Sequence, residues 1–108
     1  MLDAAFLAAV LDSLKDPVVV ADTLHVTRYM NRAALAHYDQ GADLIGRSLL
    51  DCHNAQSQQM ILDIWAAMHH GLEEQLITDG EKARIYMRAV RGADGELLGY
   101  FERYEPKV

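Results

Sequence analysis

Three shortages limit what this chain of 108 residues can be: a single cysteine, few basic residues for its acids, and no long apolar run. The lone thiol, Cys52, excludes an intramolecular disulfide and any zinc site built from several cysteines, and it suits a reducing compartment. Ten lysines and arginines against sixteen aspartates and glutamates give a net charge of -6. That balance opposes nucleic-acid binding, because phosphate contacts supply most of such affinity. Although 51% of the residues are hydrophobic, no run approaches the ~20 residues of a bilayer span. The N-terminus also lacks the basic flank and small-residue cleavage site of a signal peptide, so the expectation is a cytoplasmic protein with no direct membrane or nucleic-acid partner. A nucleophile elbow, a glycine-rich phosphate loop and a His-Glu metalloprotease motif are all missing, and an enzyme is not expected.

What is present fits one domain, since a chain of this size removes roughly two thirds of its unfolded surface from water without needing staples. Its organising stretch is Asp16 to Asn31. β-Branched residues crowd positions 18 to 20, Asp22-Thr23 interrupts them, and Val26-Thr27-Arg28-Tyr29-Met30 resumes, which predicts two short strands joined by a tight turn. Pro17 has no N–H for a sheet ladder and belongs at the first strand's start, while Asn31 is suited to cap a helix over residues 32–38. Upstream, Phe6, Leu7, Val10, Leu11 and Leu14 recur at helical spacing with Asp3 and Asp12 elsewhere, so residues 1–15 form an amphipathic helix. Its stripe serves either to cover the domain's own sheet or to meet a second copy.

Downstream, residues 39–48 are rich in turn formers, and a long helix follows over about 55–70, with Met60, Ile61, Ile64, Trp65 and Met68 on one face. Gly71 ends it. Positions 73–78, 82–91 and 96–104 are strand-like, with Asp79-Gly80 and Asp94-Gly95 as hairpin turns. In the last of these, Leu98, Tyr100, Glu102 and Tyr104 alternate with Leu97, Gly99, Phe101 and Arg103. The predicted class is α+β, a five-stranded antiparallel sheet with helices on one face, preceded by the N-terminal helix and comprising a core over 16–105.

The run Val19-Val20-Ala21-Asp22, then Val26 through Ala34, then Tyr38, then Asp43-Leu44-Ile45-Gly46-Arg47-Ser48, and finally Asp94-Gly95 before a last strand resembles a PAS domain over nearly the whole chain. The resemblance implies a curved sheet with the first two strands beside the last, a small cavity closed by the intervening helices, and a sensory module. It also implies small-molecule binding, a homodimer, and a signal passed through the terminal helices to a partner protein or output domain. Gly46-Arg47, then Cys52-His53, then Ser57 is similar to a pattern in PAS domains attached to hemerythrin-like proteins. The stretch departs from cofactor-binding relatives. Cys52 follows Gly46 by six residues and precedes a histidine, unlike the flavin-binding Asn-Cys-Arg-Phe motif, and Gln59 stands where haem-binding PAS domains place the iron's histidine. Neither flavin nor a conventional haem is expected, and the cofactor is left unknown.

The expected ligand site is the space between the long helix and the sheet. Met60, Ile64, Trp65 and Met68 form one wall, with Met87 and Tyr100 opposite and Ile85 and Phe101 as further candidates. Of Arg84, Arg88 and Arg103, Arg88 is the candidate to hold an anion there, against the alternative that these arginines pair with Glu102 or a helix-end carbonyl. The alternatives are a packed core serving a ligand-free interaction and dimerisation module, or a redox-, haem- or metal-responsive sensor using Cys52 and His53. Thiolate and imidazole are good ligands, but these two neighbours lack a recognisable zinc spacing with the other histidines, and no metal is assigned.

Overall fold

The computed structural model describes residues 2–107. In chain order, α1 covers Ala4–Ser13, β1 Val18–Asp22, β2 Thr27–Met30, α2 Arg32–His37, α3 Ala55–Met68, β3 Glu74–Asp79, β4 Ala83–Arg91 and β5 Leu97–Pro106. Two 3-10 turns, Gly41–Leu44 and Leu49–Cys52, occupy the stretch between α2 and α3. The strands form one sheet in the order β2-β1-β5-β4-β3, antiparallel throughout, so the first two strands do lie beside the last. No helix among the described residues is long and apolar enough to cross a membrane.

Local chemistry sets the strand order. Asp22 Oδ1 accepts from the amides of Leu24 and Val26, folding the β1–β2 turn around its own side chain. At the other pairing of β1, a side chain on Gly99 would collide with the carbonyl oxygen of Ala21, so only glycine lets β5 approach this closely. Val19, Ala21, Met30, Met87 and Tyr100 then point inward to meet Ile61, Ile64 and Met68 of α3 in one apolar core. Arg91 secures the far end of α3, donating from Nη2 to the carbonyls of Met68 and Leu72 at 2.7 and 3.2 Å.

The outer sheet face carries charged side chains, Arg88 and Arg103 with Glu74. It is covered by its own side chains: Arg103 lies over the Tyr86 ring with 4.2 Å to the centroid, and donates from Nε and Nη2 to the two oxygens of Glu74 at 2.9 and 3.1 Å. The mixed character of β4 and β5 therefore reflects an inward face that packs on the core and an outward face that is ion-paired.

Of the two uses open to the apolar stripe of α1, covering its own sheet is not the one adopted. Asp12 of this helix faces the domain, accepting from the Tyr29 hydroxyl at 2.7 Å and from the Arg32 amide at 3.0 Å. The Leu11 carbonyl accepts from Asn31 Nδ2 at 2.9 Å. The strand-to-helix junction at residues 29–32 presents donors that need acceptors, and the polar side of α1 supplies them. The apolar side is left outward: Leu2, Phe6, Leu7, Val10 and Leu14 are 45% to 71% exposed.

Candidate functional site

The segment 41–53 builds the wall of a partly open space. Its link to the sheet is backbone pairing: Thr27 N–H donates to Arg47 O at 2.9 Å, Gly46 N–H to Thr27 O at 2.8 Å, and Leu49 N–H to His25 O at 2.7 Å. Ser48 Oγ accepts from the Leu50 amide, starting the second 3-10 turn. Gln58 of α3 then staples that turn, donating from Nε2 to Leu50 O and His53 O, both at 2.9 Å. Asn54 caps α3 through the Ser57 amide at 2.8 Å.

Between this segment and the inner faces of β1, β2 and β5 lies a cavity of about 100 Å³, lined by Val19, Thr27, Met30, Tyr38, Leu44, Leu49, Cys52, His53 and Glu102. Glu102 is its distinctive group. The residue is 4% exposed, and its Oε2 has no hydrogen-bond partner among the described residues. Burial raises its pKa, opposed by the nearby His53. His53 Nδ1 lies 2.9 Å from the Leu49 carbonyl, which can only accept, so that nitrogen carries a proton and Nε2 is left available. Beside Glu102, the hydroxyls of Tyr38 and Tyr104 bond to each other, and burial pushes both above the usual tyrosine range. No lysine or arginine lines the cavity.

A family model described as the PAS fold matches residues 11–106. The chain belongs to the PAS-fold family. Among solved structures, the C-terminal domain of a protein from Streptococcus mutans superposes with a TM-score of 0.81 at 17% identity, covering 97% of this chain and 85% of that one. The PAS domain of a protein from Colwellia psychrerythraea gives 0.71 at 15% identity, covering 95% of each. A sensory box sensor histidine kinase from Vibrio cholerae gives 0.64 at 11% identity, covering 96% and 90%. These likenesses concern the fold. No curated protein matches the chain. PAS domains are sensory and signalling modules, and that is the class to which this chain belongs.

Within this PAS domain the sequence-expected site residues separate into three places, and none of the seven lines this cavity. Met68, Met87 and Tyr100 have no exposed surface and fill the space between α3 and the sheet. Trp65 joins them through rings: its centroid is 5.4 Å from Tyr100 and 5.8 Å from His25, whose Nδ1 is 2.8 Å from the Tyr100 hydroxyl. Burial holds the His25 imidazole below the ordinary histidine range, with Asp22 opposing. Met60 and Ile64 line a different feature, an open groove of about 650 Å³ between α3 and β3 that also takes in Gln59, Asp63 and Gln75. Arg88 is a correction. Strand side chains alternate, so Met87 inside puts Arg88 on the outer face, 3.9 Å from Glu74. Phe101, paired across from Arg88, shares that face.

Cys52 and His53, the pair named in the sequence for a redox-, haem- or metal-responsive sensor, line the cavity, and the Cys52 residue is exposed. No group of three His, Cys, Asp or Glu side chains among the described residues is placed to hold a metal ion. Glu102 went unrecognised. Its signal was its shared strand face with Tyr100 and Tyr104, an acid in an otherwise aromatic series.

Proposed function

We propose that this PAS domain is a sensor that admits a small molecule to the cavity beneath segment 41–53, associates with a second copy through the outward face of α1, and passes its state to a partner or output segment. The observation that carries the reading is the cavity itself, a partly open space holding a buried carboxyl group with an oxygen that has no partner among the described residues, which a dedicated structural core would not retain. The route outward is short. Met30 lines the cavity, and the next residue, Asn31, donates to the carbonyls of Leu11 in α1 and Asp16 beyond it. Movement of β2 on ligand entry therefore bears directly on α1.

A second reading, an interaction module without a ligand, is favoured by the apolar side of α1 alone, which asks for cover whether or not the cavity is occupied. Two variants separate the readings. Phe6→Glu with Val10→Glu places charge on the outward face, and sedimentation velocity should show the dimer's dissociation constant rising at least tenfold. Leu49→Phe fills the cavity, and thermal-shift screening against a library of small metabolites should lose the stabilisation given to the parent protein. Unchanged sedimentation in the first variant would remove the α1 dimer. A screen with no stabilising compound for the parent protein would favour the ligand-free module.

A further inference from the structure

The lining of the cavity is one-sided in charge. Among apolar residues it presents one carboxyl group, together with tyrosine and threonine hydroxyls and a thiol that can either donate or accept, one imidazole and no fixed cation. The imidazole already spends Nδ1 on the Leu49 carbonyl. Glu102 is more than nine-tenths buried and its Oε2 faces no partner among the described residues. The space, about 100 Å³, has the bulk of about three water molecules at roughly 30 Å³ each.

We propose that the cavity takes a small cationic nitrogen ligand, an amidinium or primary ammonium group on a short carbon frame, with Glu102 as its anionic partner. This narrows the preceding reading and rests on it, since it presupposes that the cavity is a ligand site. A donor-bearing cation favours the ionised form of Glu102 against the burial that holds its proton, and a charge-assisted hydrogen bond is about twice as strong as a neutral one. An anionic ligand meets Glu102 as a like charge with no arginine or lysine to offset it.

Acetamidinium, acetamide and acetate have nearly the same planar shape and differ in charge and donors, so they test the proposal directly. The protein is labelled with 13C at its methionine methyl groups and titrated with each compound at pH 7 and constant ionic strength. Met30 reports on the cavity and Met60 on the open groove. The expected result is a saturable shift at Met30 with acetamidinium, at least tenfold tighter than with acetamide, and none with acetate. Glu102→Gln should erase that tenfold preference, about 1.4 kcal/mol, while Glu102→Asp should keep part of it. If Glu102→Gln fails to fold, the three compounds on the parent protein still decide. Binding of acetamide or acetate at Met30 as tight as acetamidinium overturns the charge preference and leaves the small-molecule reading standing. No saturable shift at Met30 with any of the three, or a shift confined to Met60, overturns both.

Discussion

At Glu102 the interests of stability and of recognition oppose one another. A buried carboxyl group with an unmet oxygen costs about 1–3 kcal/mol, and more when ionised. Its pKa is raised by burial in the folded protein, so the folded state holds a proton that the unfolded chain has already released. The sign follows from linkage: the stability is fully present below the ordinary glutamate range and falls as pH rises through the higher folded value. Glu102→Met, which keeps the shape and removes the charge, should therefore raise the stability measured by urea unfolding at pH 7 by about 1–3 kcal/mol. It should also flatten the decline from pH 4.5 upward. A variant less stable than the parent at pH 7 would show that Glu102 is satisfied in solution by a partner worth more than its burial costs. A destabilising residue retained in the cavity is what a binding site requires, since activity commonly occupies the least stable arrangement of side chains.

Among the elements, the junction of β2 with α2 bears the most. Asn31 has no exposed surface, and its Oδ1 accepts from Val18 N–H at 3.0 Å and Ala34 N–H at 2.9 Å. Its Nδ2 donates to Leu11 O and Asp16 O. One side chain thereby ties α1, β1 and α2 to the end of β2. Asn31→Ala leaves the buried amides of Val18 and Ala34 without their side-chain acceptor, takes a donor from two part-buried carbonyls and removes a helix cap, and it should cost about 3 kcal/mol or more in denaturant unfolding. A loss below about 1 kcal/mol would mean that the junction holds without it.

This junction also marks the boundary of what the sequence made legible. The cap at Asn31, the Asp22-Thr23 turn and the two Asp-Gly hairpins are local chemistry, decided within a few residues, and the strands and helices they delimit follow from periodicity. Orientation was not local. Asp12 faces inward because donors at residues 29–32, far along the chain, need acceptors, and no pattern within α1 announces them. The site was obscured for a related reason. Met68, Met87 and Tyr100 are as suited to a packed core as to a ligand wall, and whether they meet or leave a gap depends on how closely α3 approaches the sheet. Arg91 of β4 ties the C-terminal end of α3 to the sheet, while Gln58 ties the other end to the 3-10 turn. Alternation in β5 grouped Tyr100, Glu102 and Tyr104 on one face as found, and failed at the strand's start, where Leu97 packs against the core and Leu98 is exposed; with an arginine on one face and an acid on the other it did not indicate which face was inward.

At the scale of the whole molecule, this PAS domain has its core filled beneath α3 and a partly open cavity to the side, under segment 41–53. The outward face of α1 and the cavity are joined through Met30 and Asn31, so occupancy and self-association are expected to be measured together. Native mass spectrometry of protein desalted gently from fresh lysate, compared with the mass of the same sample after denaturation, tests this most directly. The account predicts a dimer carrying an excess of small-molecule size that is lost on denaturation, and no such excess on the Leu49→Phe variant. The bare chain mass before and after denaturation, or an excess that Leu49→Phe retains unchanged, would contradict the claim that the cavity is where this domain senses.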